Sequence, residues 1–207
     1  MSSEQTTLIP PLRGDGHGKY RILLLGNSGS GKTTLGKELA LILGLPFVSM
    51  DTLAWLPGWR MSSSEELRTK LIAIMTDAKD GWVIDGSYQS KIGTLVQDQS
   101  TDIIWLDPPL ALYFPRICYR TLLRLLRLAP PCSPGCDEDY REVFFSRDSI
   151  LWWSLSRHWL VRKKESAMLK EDGIHVGGKR RRIGGWGSEL EAWKRSVREM
   201  VRIGTAD

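Results

Sequence analysis

The run Gly26-Asn27-Ser28-Gly29-Ser30-Gly31-Lys32-Thr33 matches the pattern G-x-x-x-x-G-K-[ST] in full. Its glycines let the backbone curl so that successive N–H groups point inward at an anion. A lysine and a hydroxyl at the end of that curl are the groups that reach β/γ phosphates and ligate Mg²⁺. Thr34 follows directly and completes the candidate phosphate-binding stretch. The apolar run Tyr20–Leu25 before the loop predicts a buried strand, and Gly31–Leu43 after it predicts a helix ended by Gly44 and Pro46. A helix N-terminus at this point adds a dipole favourable to anions.

Three aspartates stand where apolar runs end: Asp51 after Phe47–Met50, Asp85 after Trp82–Ile84, and Asp107 after Ile103–Leu106. In an open α/β sheet, ligands gather beyond the C-terminal strand ends. A carboxylate there can hold Mg²⁺ through water or accept a proton from an attacking hydroxyl. Asp85, followed by Gly86, is read as the metal-organising acid together with Thr33. Asp51 is read as the acid that orients or deprotonates a phosphate acceptor. Asp107 precedes Pro108-Pro109 and is read as a cap on the next helix. Arg116, Arg120, Arg124 and Arg127 follow at spacings of four, four and three on a predicted helix, Leu110–Leu128, and so share one face. Four cations on one face repel unless an anion lies against them, and the arginine fork suits a transferred phosphate. That role falls to Arg116 and Arg120, with Lys32 opposite. The Pro-rich stretch 129–140 after this helix is placed as a lid that closes and excludes water.

The elements needed to hold these groups are legible as alternating short apolar runs and helical patterns, which predicts βαβ units and a parallel sheet. The strands are 20–25, 47–50, 82–84, 103–106 and 180–183. Ser63/Ser64 with Glu66 predict a helix start, with Leu67, Leu71, Ile74, Met75 and Ala78 on one face. Tyr140–Leu169 is predicted helical, and Ser188 with Glu191 predicts a capping box opening the last helix. Residues 1–18, rich in Ser, Thr, Pro and Gly, read as a mobile, disordered tail. Residues 19–207 read as one domain.

At 207 residues the chain is long enough to bury a core, and its 42% hydrophobic and 26% charged content is that of a globular protein. Lys and Arg exceed Asp and Glu by 29 to 24, but unevenly: 10 against 12 over residues 1–112, then 19 against 12 over residues 113–207. A basic half serves either nucleic acid or the neutralisation of a bound polyphosphate. Three cysteines, Cys118, Cys132 and Cys136, give no disulfide framework, so a reducing, cytoplasmic compartment is expected. Met1–Lys19 contains no apolar stretch of the kind a secretory signal needs. The longest apolar runs are far too short for a membrane span. Cys132 and Cys136 have no second ligand pair to make a zinc site. Trp55 and Trp59, flanking Pro57-Gly58, could stack a planar substrate. The Ile183-Gly184-Gly185-Trp186 turn could lie beside a nucleobase. Lys179-Arg180-Arg181-Arg182 is either a nucleic-acid patch or a structural edge, the latter being favoured.

The phosphate loop, Asp51, Asp85-Gly86, Trp105-Leu106-Asp107-Pro108 and the arginine helix together resemble the adenylate-kinase-like P-loop kinases. Within that group, Met50-Asp51 with Trp55 and Pro57-Gly58-Trp59, and Trp82-Val83-Ile84-Asp85-Gly86-Ser87-Tyr88, are similar to stretches of bacterial topology modulation proteins. The resemblance spans residues 20–128. It implies a five-stranded parallel sheet in order 2-3-1-4-5 flanked by helices, a small lid, and ATP with Mg²⁺ as the cofactors. It also implies a small-molecule phosphoryl acceptor. In that family arginines stand nine and thirteen residues after the acid ending the fourth strand, which here are Arg116 and Arg120. Two family arginines that grip an acceptor phosphate are not matched: Asp51 is followed by Thr52-Leu53-Ala54, and Asp85-Gly86 by Ser87-Tyr88-Gln89. Arg60 and Lys91 are the candidate substitutes, and a small hydroxyl compound fits as acceptor as well as a nucleotide does. The label of the bacterial proteins also implies an alternative, nucleotide-dependent nucleic-acid binding. A plain ATPase without an acceptor is the third reading.

Overall fold

The computed structural model describes residues 9–145 and 149–204. Residues 1–8, the first part of the expected tail, lie outside the described residues, as does the stretch 146–148 inside the expected 140–169 helix.

Five parallel strands form the central sheet: β1 (Tyr20–Gly26), β2 (Phe47–Ser49), β5 (Gly81–Asp85), β6 (Asp102–Asp107) and β7 (Arg180–Gly184), in the order β2-β5-β1-β6-β7. Read as the first to fifth strands of the sheet, this is the expected 2-3-1-4-5 order. β3 (Trp55–Leu56) and β4 (Arg60–Met61) form a separate antiparallel hairpin. The helices are α1 (Lys32–Leu43), α2 (Met50–Ala54), α3 (Ser64–Asp77), α4 (Gln89–Ile92), α5 (Leu95–Gln99), α6 (Leu110–Leu125), α7 (Tyr140–Phe145), α8 (Ile150–Asp172) and α9 (Ser188–Gly204).

The two-residue period of β1 sorts its side chains to opposite faces. Ile22 and Leu24 join a core with Leu35 and Leu39 of α1 and Trp193 and Val197 of α9. Leu23 and Leu25 face the other way, among Leu67 and Leu71 of α3 and Ile92 of α4. Because both faces are covered, β5 and β6 are buried along their whole length. Gly44 takes the left-handed conformation (φ 66°) that ends α1. α3 opens on the expected capping box: the Ser63 hydroxyl accepts from the Glu66 amide at 3.1 Å, and the Glu66 carboxylate accepts from the Ser63 amide at 2.9 Å.

Some expectations are corrected. The described part of the tail does not detach: Leu12 is buried, the Asp102 carboxylate accepts from the backbone of Arg13 and Gly14, and the Trp193 indole donates to Pro11 O. α6 ends at Leu125 rather than Leu128, and Arg127 turns left-handed (φ 57°). The expected long helix is instead α7 and α8. At α9 the Ser188/Glu191 box does not form: Glu191 pairs with Lys194, and Glu189 accepts from the Gly184 amide. Among the described residues no helix is long and apolar enough to cross a membrane.

Candidate active site

The phosphate loop connects β1 to α1 at the C-terminal edge of the sheet. At Gly26 (φ 143°) an added Cβ would stand 2.5 Å from Leu106 O, so only glycine lets the loop leave β1 this close to β6. Gly29 (φ 74°) and Gly31 (φ 99°) supply the left-handed turns that bring the chain back into α1. Asn27 and Ser30 are buried, Ser28 and Lys32 half-buried, and Thr33 and Thr34 exposed on the first turn. Lys32 Nζ donates to Gly26 O and Asn27 O, each at 2.9 Å, and so lies across the loop's concave side. Burial pushes the Lys32 pKa down, while the nearby carboxylates of Asp85 and Asp51 push it up.

β5 places Asp85 beside this lysine. The Thr33 hydroxyl donates to Asp85 Oδ2 at 2.6 Å, and the Gly86 amide donates to Leu24 O. A hydroxyl and a carboxylate at the mouth of a phosphate cradle are hard oxygen donors of the kind Mg²⁺ takes. No cluster of three or more acidic, His or Cys ligands exists among the described residues.

Of Arg116, Arg120, Arg124 and Arg127, one reaches the loop. Arg120 Nη2 donates to Ser28 Oγ at 2.7 Å, and its Nε is buried without a partner. Burial lowers the Arg120 pKa, with Arg124 adding to the effect, yet a guanidinium remains charged. Arg116 is exposed and makes no hydrogen bond or ion pair among the described residues. Arg124 turns to the lid segment, donating to Pro130 O at 3.1 Å and lying 3.6 Å from Glu138. The predicted single cationic face therefore divides: Arg120 turns to Ser28 of the loop, Arg124 to the 129–140 segment.

The lid segment is folded down onto the β3–β4 hairpin. Gly58 N donates to Gly135 O, Ser133 Oγ to Trp55 O, and Trp59 Nε1 to Asp137 O. Trp55 and Trp59 meet edge to face at 5.5 Å. Their indoles thus pack on each other and on the lid rather than forming an open stacking platform. Asp51, in the first turn of α2, is exposed beside this contact. Tyr88 donates to its Oδ1 at 2.7 Å, and Cys132 Sγ sits 3.9 Å from its Oδ2. Tyr88 holds a left-handed backbone (φ 39°), the kind of local strain that clusters at working sites. Its phenol pKa is raised by burial and then by the Asp51 charge; the Cys132 thiol is raised by burial and Asp51 as well. Arg60 and Lys91 contact neither Asp51 nor any other side chain by hydrogen bond or ion pair among the described residues.

Asp107 does not cap α6, whose N-cap position is Pro109. It is a buried counter-ion, 2.7 Å from Arg182 Nη2 and 3.1 Å from Arg162 Nε of α8. The basic run is likewise absorbed by the fold. Lys179 donates to Gln97 O and Ser100 O, Arg180 pairs with Glu165 and Asp172, Arg181 donates to Pro10 O, and Arg182 pairs with Asp107. The structural-edge reading holds, on the edge strand β7. Trp186 is exposed in the turn after β7.

Tyr113 and His158 had no signal in the sequence. Both are buried: Tyr113 OH accepts from Asn27 Nδ2 at 3.1 Å and meets His158 Nδ1 at 2.8 Å. The partners lie 86 and 45 residues apart, beyond the reach of any local pattern.

Fold and site together define a P-loop protein of kinase-like architecture. A family model described as "ATPase family associated with various cellular activities (AAA)" matches residues 22–107, from β1 through β6. Among solved structures, a shikimate kinase from Acinetobacter baumannii in complex with shikimate is similar, with a TM-score of 0.50 and 18% identity over 89% of this chain and 94% of that one. A sugar kinase from Janibacter sp. is similar at a TM-score of 0.49 and 16% identity, over 89% and 93% of the two chains. A shikimate kinase from Bacteroides thetaiotaomicron is similar at 0.47 and 16%, over 89% and 97%. At such identities the likeness is one of fold. Comparison with curated proteins returns no match.

Proposed function

We propose that this chain is a Mg-ATP-dependent phosphotransferase of the adenylate-kinase-like group, akin to the topology modulation proteins, acting on a nucleotide or a small hydroxyl acceptor. The observation that carries the reading is the convergence of Thr33, Asp85 and Arg120 on one loop, by contacts of 2.6 Å and 2.7 Å. The triphosphate is held by the stretch Gly26–Thr34. Lys32 and Arg120 would stabilise charge on the transferred group, and Arg116, exposed on the same helix, would have to turn toward the loop to join them. Thr33 and Asp85 would hold Mg²⁺, which supplies charge neutralisation at the phosphates. Asp51 is suited to orient the acceptor hydroxyl and to take its proton, with Tyr88 fixing the carboxylate. Positioning and electrostatics are the main means of catalysis in such a site. The kinase neighbours of the same fold support this reading. The internal bonding of 179–182, with Arg180 and Arg182 in ion pairs and Lys179 and Arg181 on backbone carbonyls, weighs against the nucleic-acid alternative.

ADP release from Mg-ATP, with and without a panel of nucleoside monophosphates and small hydroxyl metabolites, tests the proposal. Stimulation by one acceptor, lost in Lys32→Ala, is the expected result. A flat response with ATP bound would return the chain to the ATPase reading.

A further inference from the structure

The mechanism above leaves one buried polar chain unused. Asn27, the second residue of the phosphate loop, is 6% exposed, Tyr113 of α6 is 1% and His158 of α8 is 2%. Their side chains run in series, Asn27 Nδ2 to Tyr113 OH at 3.1 Å and Tyr113 OH to His158 Nδ1 at 2.8 Å. The backbone carbonyl of the same Asn27 accepts from Lys32 Nζ at 2.9 Å. α6 also presses on the loop: a Cβ at Gly29 would stand 2.7 Å from Ile117 Cγ1 and 2.9 Å from Tyr113 O. One turn after His158, Arg162 pairs with Asp107 at the end of β6.

We infer that Tyr113 and His158 are positioning residues for the phosphate loop, holding Asn27, and through its carbonyl Lys32, only while His158 is neutral. The Tyr113 oxygen accepts from the Asn27 amide, so its single proton goes to His158 Nδ1, which must be the unprotonated nitrogen. Protonation at Nδ1 turns that acceptor into a donor. Two donors then face the phenol oxygen, and the phenol proton has no acceptor in the chain. Buried donors without partners are costly, so the chain breaks and the loop loses its anchor.

The charges facing His158 are Arg162 on its own helix and Asp107 from β6, with Arg182 of β7 sharing that carboxylate; Tyr113 faces it from α6. Burial and Arg162 push its pKa below the ordinary value and Asp107 opposes them, so the neutral form is the folded one at neutral pH. The anchor is present above the histidine range and lost as pH falls through it.

This rests on ATP binding at the loop, and the test separates the two claims. Binding of Mg-AMP-PNP is measured by calorimetry from pH 7.5 down to 5.5 for the full chain and for His158→Asn. The asparagine places an amide oxygen near the Nδ1 position and does not titrate. Nucleotide phosphate titration is common to both proteins and cancels. The wild type is expected to lose about fivefold more affinity than His158→Asn across this range, each protein compared with its own affinity at pH 7.5. Tyr113→Phe is expected to bind about fivefold more weakly at every pH, with the same shallow profile as His158→Asn. Superimposable profiles for wild type and His158→Asn would overturn the inference while leaving ATP binding intact. Absence of nucleotide binding by the wild type at pH 7.5 would instead overturn the binding reading on which it stands.

Discussion

The two halves of the site are built in different ways. On the donor side, Lys32, Thr33, Asp85 and Arg120 converge through short contacts to one loop, with glycines wherever the backbone must come close. On the proposed acceptor side, the exposed Asp51 is met by residues from two separate stretches, Tyr88 before α4 and Cys132 from the 129–140 segment, which also packs on the Trp55–Trp59 hairpin. Under the proposed function the donor half meets a fixed chemistry, phosphate with a cation, and its residue types follow from that chemistry. Under the same proposal the acceptor half meets a hydroxyl compound, and it is assembled from long-range contacts.

Substitutions should divide along the same line. Lys32→Ala is expected to remove turnover almost completely, by at least about 10³-fold in kcat, with an unchanged circular dichroism spectrum. Arg120→Ala should cost about 10²–10³-fold in kcat, measured as ADP release at saturating ATP, because among the described residues no other arginine hydrogen-bonds to the loop. Retained activity in either variant would break the donor-side account. Away from both halves, Arg180→Ala strands the buried Glu165 and should lower stability by about 3–5 kcal/mol. For a chain of this size that is a fall of about 10 °C in melting temperature, checked by calorimetry. Tyr88→Phe should leave nucleotide affinity untouched and lower kcat about tenfold, through a less firmly held Asp51. Cys132→Ser is the mildest, within about 0.5 kcal/mol in stability, and sharpens the comparison by altering only the acceptor side.

The same division governs what could be read from sequence. The loop, the five strands and the Ser63–Glu66 cap are local patterns, in which neighbours along the chain settle the outcome. Asp107 was legible as an acid at a strand end, but its partners Arg162 and Arg182 come from α8 and β7, and nothing near Asp107 announces them. The arginine row was read as one surface because helical spacing is regular. Tertiary contacts then gave Arg120 to Ser28 and Arg124 to Glu138, and the helix ended before Arg127. The basic run 179–182 looked like a charged patch because its acceptors, several of them backbone carbonyls, lie on distant segments. The tail read as mobile from its composition, yet residues 11–14 bond to Asp102 and Trp193, a docking that composition cannot encode.

The central claim is that Thr33 and Asp85 form the metal half of a Mg-ATP site. Calorimetric titration of AMP-PNP with and without Mg²⁺, for the wild type and Asp85→Asn, tests it most directly. The account predicts that Mg²⁺ tightens binding to the wild type and that Asp85→Asn loses most of that gain while still binding the metal-free nucleotide. An equal Mg²⁺-dependent gain in both proteins would contradict it.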